Sequence, residues 1–482
     1  MVHPSPAISP APPPGAAKDV SYPRWTLAAR FSVVPFFAAV GLLGAFLLRQ
    51  YSGLPQIFFS LFLFAVYVVV YRRMFAAKSI LDVGTFFMFT VLAYQLFPLI
   101  SLELSDYNLG IFADSRLNSI ALTTSFLAEI WSTQTLILTG FGSVYLLVKR
   151  AAPATRPVAE KNQRWFFGTM LPASLTVIIG ANVVFGAESY LDEYLVVQDL
   201  PLIVIQILNI VNQVFFAAMF GFLILTIGVA PGRAIATALL TCMLLAVTSG
   251  ARTPIAIIVF ALIIAYDAYR ARINPILLAS FAILLMTIFL FAGIVRGGGY
   301  LTDLLGQNEF MSVYVTTLDV YQIAITGAAR DMATELWMAD LLRPIPGQLL
   351  PSDKFDASIW YMTNFYPLQA AAGQGYGFSM ASEAVLGGGT FAALARSGLL
   401  GLLVGLLAGR LEGSDSIYAK IGAVWLFSFI YLAYRDTTFT LVPRFLFQFG
   451  PALAALYLIE RFFVPHTHGA KRGRAGERPA PG

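Results

Sequence analysis

Residues 249–300 read SGARTPIAIIVFALIIAYDAYRARINPILLASFAILLMTIFLFAGIVRGGGY. Two apolar runs, 253–269 and 275–295, flank a basic turn at Arg270 and Arg272, and each run carries an arginine at its far end, Arg252 and Arg296. As helices rising about 1.5 Å per residue, such runs match a hydrocarbon core of about 30 Å. Two spans joined by a tight turn bring their far ends to the same membrane face. Two arginine forks converging there have the geometry to hold a diphosphate.

The same pattern repeats along the chain. Of 482 residues, 58% are hydrophobic and only 12% charged, against about 25% charged in a soluble domain. The expected fold is an all-α polytopic membrane protein of about twelve transmembrane helices with one long periplasmic loop. The expected spans are 31–48, 55–71, 82–101, 126–148, 166–186, 204–228, 234–249, 253–269, 275–295, 379–410, 418–434 and 445–463. The tenth is too long for one crossing, so a break is expected at Gly387-Gly388-Gly389 or near Ser397-Gly398. The transmembrane domain covers 30–464, the long loop within it covers 297–378, and the tails 1–29 and 465–482 read as disordered. The Pro- and Ala-rich start lacks the apolar core of a cleavable signal.

Charge placement gives an expected orientation. About twenty-one lysines and arginines fall on one side of the predicted spans and about nine on the other, so the first side reads as cytoplasmic, with both termini there. The net charge of +5 is concentrated at span ends and does not suggest nucleic acid. The single Cys242 excludes a disulfide within the chain and a thiolate metal site. The three histidines, His3, His466 and His468, lie in the tails, so no histidine is expected in the membrane region as base, metal ligand or proton relay.

Four arginines stand on the side where arginine should be scarce: Arg252, Arg296, Arg435 and Arg444. Each alone reads most simply as a side chain reaching lipid phosphates or a loop acid such as Asp436; together they favour a shared anionic ligand. Glu383, in YGFSMASEAVLGGG, and Glu129, within LAEIW, are ionisable groups at or inside spans, which is costly unless they serve function or neutralise an arginine. Aromatics of the long loop, with Trp360 and Tyr376 foremost and Tyr300 at its start, suit stacking on sugar rings; the simpler reading is an interfacial aromatic belt.

The small-residue turn SGARTPI, the arginine before glycines in GIVRGGG, the long loop, and GQGYGFSMASEAVLGGGTFAALARSGLLGLLVGLLAGRL resemble the Wzy-type polymerases of bacterial surface polysaccharides. The likeness spans about residues 200–450 and is architectural. It implies a GT-C-like glycosyltransferase of the bacterial inner membrane, acting at the periplasmic face. Its donor and acceptor would be oligosaccharide repeat units on undecaprenyl diphosphate, joined into O-antigen or exopolysaccharide without metal or cofactor, with inversion. On this likeness Arg252 and Arg296, then Arg444 and Arg435, bind the diphosphate. Glu383 receives the acceptor proton, and Tyr376, Trp360 and Tyr300 contact saccharide. Membrane lipid and a chain-length-regulating co-polymerase are the partners implied. Many such polymerases have two large periplasmic loops; one is found here. Related ligases rely on a periplasmic histidine that this chain lacks. The rival reading is a transporter or flippase of a lipid-linked saccharide, which twelve spans with both ends inside would suit; the asymmetric loop and the lack of a repeat speak against it.

Overall fold

The computed structural model describes residues 27–104 apart from 52, 76 and 78, and then 124–150, 161–184, 202–248, 252–274, 309–327, 332–345, 349–350, 354–371 and 377–463. All regular structure among them is helical. The first eight helices are α1 (Leu27–Leu47), α2 (Leu54–Phe75), α3 (Val83–Leu104), α4 (Thr124–Val148), α5 (Lys161–Val184), α6 (Leu202–Ile227), α7 (Pro231–Thr248) and α8 (Arg252–Tyr269). Then come α9 (Glu309–Ile325), α10 (Met332–Leu342), α11 (Ala357–Phe365), α12 (Pro367–Ala371), α13 (Met380–Leu386), α14 (Thr390–Glu412), α15 (Ile417–Phe429) and α16 (Leu432–Arg435). The last, α17, runs Leu441–Phe463 and widens to a π turn at Phe445–Phe449.

Seven of these are long and apolar enough to cross a membrane: α1, α2, α3, α5, α6, α14 and α17. Helices α7, α8, α9 and α15 are apolar but shorter. The chain is therefore a polytopic α-helical membrane protein by length and composition; the seven long apolar helices compare with the twelve crossings expected. The ninth expected span, 275–295, lies outside the described residues. The tenth is two helices. They part at Gly387–Gly389, where Gly388 and Gly389 adopt φ of 118° and 62°, a region that disfavours side chains. Ser397-Gly398, the other expected break, lies inside α14.

Helix α4 is the hub. Several of its buried polar residues find partners: Thr135 and Thr139 donate to carbonyls one turn back, Ser132 donates to the Ala45 carbonyl of α1, and Gln134 donates to the Tyr434 hydroxyl at 2.8 Å. Low-dielectric packing demands such partners. Helix α14 runs parallel to α4, because successive contacts advance together, from Gly140 with Leu394 to Gly401 with Phe141 and Gly409 with Arg150. Ser397, Gly401, Gly405 and Gly409 recur every four residues and form one small-residue stripe, which lets two backbones approach. A Cβ added to Gly401 would stand 2.6 Å from the Phe141 carbonyl oxygen.

The described part of the expected long loop is mostly helical. Its first helix, α9, buries Met311, Val313, Tyr314, Val315 and Leu318 and packs on α3, α4 and α13. Tyr361 of α11 and Tyr366 both donate to the buried Asp319 of α9, at 2.7 and 3.1 Å, which fixes α11 to the bundle.

Candidate functional site: a buried arginine–carboxylate cluster

Ser379 caps α13 by accepting from the Ser382 amide at 3.0 Å. Its hydroxyl, that of Ser382 and that of Thr317 on α9 lie within 2.8–3.1 Å of one another. This buried hydroxyl trio sets the height and rotation of α13, and with them the position of Glu383 in its first turn. Negative charge is favourable at that end of a helix.

Glu383 is fully buried and accepts four hydrogen bonds. Arg343 Nη2 reaches Oε1 at 3.3 Å, while Arg396 Nη1 (3.2 Å), the Thr438 amide (2.8 Å) and the Thr438 hydroxyl (2.6 Å) converge on Oε2. A carboxylate offers about four acceptor positions, two on each oxygen; Oε2 is saturated by its three donors, while Oε1 accepts one bond, from Arg343. Arg396, 0% exposed within α14, also pairs with Asp340 Oδ2 at 2.8 Å. Arg343, after α10, pairs with Asp340 Oδ1 at 3.1 Å and donates to Thr437 Oγ1 at 2.9 Å. The Trp337 ring covers the Arg396 guanidinium at 4.8 Å, and its indole N–H donates to the Gly387 carbonyl. A cation over an indole face is attractive, more so when desolvated.

Two guanidinium groups thus face two carboxylates, assembled from α10, α13, α14 and the 436–438 turn. Burial and the nearby Glu383 carboxylate push the Asp340 carboxyl up to about 6, against the opposing pull of Arg396 and Arg343. Arg396 Nε and Nη2 make no hydrogen bond among the described residues. Arg343, 17% exposed, is the member that reaches furthest outward.

The sequence-predicted residues divide into three groups. Glu383 lies at the centre of the cluster. Arg435 and Arg444 both pair with Asp436, at 3.5 and 3.2 Å, and so flank the turn whose Thr437 and Thr438 complete the cluster. Trp360 sits half-buried on α11, edge-on to Phe365, and makes no part of the cluster. Arg252 begins α8, but its side chain, like Arg296, Tyr300 and Tyr376, lies outside the described residues. Glu129 forms an ion pair with Arg49, the neutralising role open to it from the sequence. Sequence reading passed over Arg343, Asp340 and Arg396. For Arg396 the signal was present, since it is a lone charge inside the apolar run 390–409.

A second buried ionic group occupies the other end of α4 and α14. There Lys149 pairs with Asp82 and, at 3.1 Å, with Glu412. Tyr145 donates to Asp82, Asp82 accepts from the Gly84 amide to start α3, and Arg30 donates to the Lys149 carbonyl at 2.7 Å. The termini of α1, α3, α4 and α14 are tied there. No protein-family model, curated protein or solved structure matches the chain.

Proposed function

We propose that the chain is a membrane glycosyltransferase of the polysaccharide-polymerase kind, joining oligosaccharide units carried on undecaprenyl diphosphate, as its resemblance to Wzy-type polymerases implies. The observation that supports this reading best is the grouping of Arg343, Arg435 and Arg444 around the 436–438 turn, with Arg343 and Arg396 held by Glu383. Arginines fixed beforehand can receive a diphosphate without reorganising, and such preorganised charge is the largest catalytic contribution in many enzymes. In the proposed step the acceptor hydroxyl attacks the anomeric carbon of the donor. A glycosidic bond forms, the bond to the diphosphate breaks, the lipid diphosphate leaves with the electron pair, and the hydroxyl proton passes to water. Glu383, bonded to both Arg343 and Arg396, serves in this proposal to position the arginines, and Arg343, Arg435 and Arg444 are the groups proposed to bind the leaving diphosphate. The cytoplasmic placement of both termini, the inner-membrane location and action at the periplasmic face belong to this proposal.

The transporter reading draws on one observation, the second buried ionic group at the opposite end of α4 and α14. Purified protein in liposomes with lipid-linked repeat units and no energy source separates the two. A ladder of longer saccharides supports the polymerase; transfer of the unit across the vesicle wall without elongation overturns it.

A further inference from the structure

A groove of about 770 Å³ runs between α10 and α14, lined by Trp337, Phe391, Leu394, Gly398 and Leu402, with Val144 of α4 at its base. Every lining side chain is apolar or absent. Phe391, 71% exposed, and Leu399 belong to the open side of α14, one of the seven helices suited to cross a membrane. The groove therefore opens sideways onto the membrane-facing surface.

Helix α10 continues that surface. Met332, Leu336 and Ala339 face inward, while Met338 (50% exposed) and Leu341 (72% exposed), three residues apart, stand on the opposite side. Ile345 in the following turn is exposed as well. The outward side is polar in the first turn, at the exposed Thr334 and Glu335, and apolar only beyond it, at Met338 and Leu341, so the C-terminal half of α10 is not an ordinary water-facing element. Yet α10 has 11 residues, too few to cross a bilayer that requires about 20.

We infer that α10 lies in the membrane at the hydrocarbon boundary, its Met338–Leu341 face and the groove beside Trp337 covered by bilayer phospholipid acyl chains. Continuity with the exposed face of α14 selects lipid as the occupant. Trp337 then acts as a partition, with its edge in the groove and its face on Arg396. The buried ionic cluster sits one side chain away from lipid. This inference stands whether or not the chain is a polymerase.

The test uses single cysteines in a Cys242→Ser background, placed by Met338→Cys, Leu341→Cys and Ala395→Cys, labelled with bimane and reconstituted in phosphatidylcholine vesicles. Ser416→Cys, in the exposed turn before α15, is the aqueous reference. Brominated phosphatidylcholine should quench the first three labels severalfold more than the label at 416, and aqueous iodide should do the reverse. Iodide quenching of the Met338 and Leu341 sites to the level of the 416 site would overturn the inference. Resistance to both quenchers would overturn it too, since protein would then cover the face. Trp337→Phe supplies a reading without labels: it should remove part of the intrinsic tryptophan quenching by brominated lipid, and an unchanged quench would count against the groove being lipid-filled.

Discussion

Replacing Glu383 distinguishes a side chain that holds the cluster together from one that merely sits in it. Three of its four bonds end on Oε2 and one on Oε1. In Glu383→Gln the amide oxygen can occupy the Oε2 position and keep both Thr438 contacts and the Arg396 contact. The amide nitrogen then faces Arg343 Nη2, donor against donor. Arg343 is 17% exposed and can turn toward a more polar surrounding, so the loss is one charge-assisted bond plus the charge itself, about 1.5–3 kcal/mol. In Glu383→Ala all four bonds go. The buried Arg396 is left with Asp340, and the Thr438 amide loses its acceptor. Removing one partner of a buried ion pair costs about 3–5 kcal/mol. Thermal unfolding of purified protein in detergent, followed by tryptophan emission, reads the difference, because Trp337 covers Arg396 at 4.8 Å. The expected order of midpoints is wild type, then Gln, then Ala. Equal, small shifts for both variants, or a Gln variant below the Ala variant, would refute the asymmetric-anchor reasoning.

The parallel contact of α4 and α14 makes Gly401→Ala destabilising by about 1–3 kcal/mol, since its Cβ would press on the Phe141 carbonyl. Gly168→Ala in α5, with open space around it, should instead stabilise by about 0.5–1 kcal/mol; detergent melting curves of the two variants should move in opposite directions. Asp340 gives a pH signature. Its carboxyl in the folded state sits at about 6, above the usual value near 3.9, so the native state binds a proton that the unfolded chain does not. This group's contribution to stability therefore rises as pH falls from 7 through 6 and levels off below about 4. Melting curves of Asp340→Asn should lack that rise between pH 6 and 4. At the opposite end, Lys149→Met leaves Asp82 buried without its cation and should cost about 3–5 kcal/mol, whereas Arg49→Met, removing a half-exposed partner of Glu129, should cost about 0–1 kcal/mol; chemical unfolding in detergent compares them. If the polymerase proposal holds, Arg343→Ala should lose elongation at least tenfold in the vesicle assay, with Arg343→Lys recovering only part, because a point charge does not replace a fork of donors.

The sequence determined the class of fold. A chain with 12% charge and recurring apolar runs has no water-stable alternative to helices packed in a membrane, since backbone groups must be satisfied within each segment. It also narrowed the helix break to two places, Gly387–Gly389 or Ser397-Gly398, and the structure selects the first, where Gly388 and Gly389 take positive φ between α13 and α14. Span number was less legible. Several helices, α7, α8, α9 and α15 among them, are apolar for less than a full crossing, and hydropathy registers burial against protein and burial in lipid alike. Hence α9, placed by sequence in a loop, packs into the bundle. Glu383 was singled out as a charge near a span, but its partners could not be. Asp340, Arg343, Arg396 and Thr438 are separated by up to 98 residues along the chain (438 minus 340). They meet only because the hydroxyl trio docks α13 on α9 and the glycine stripe sets α14 against α4. Composition and periodicity are local quantities. The pairing of two arginines with two carboxylates is a property of where four chain segments converge, and only the packed bundle decides it.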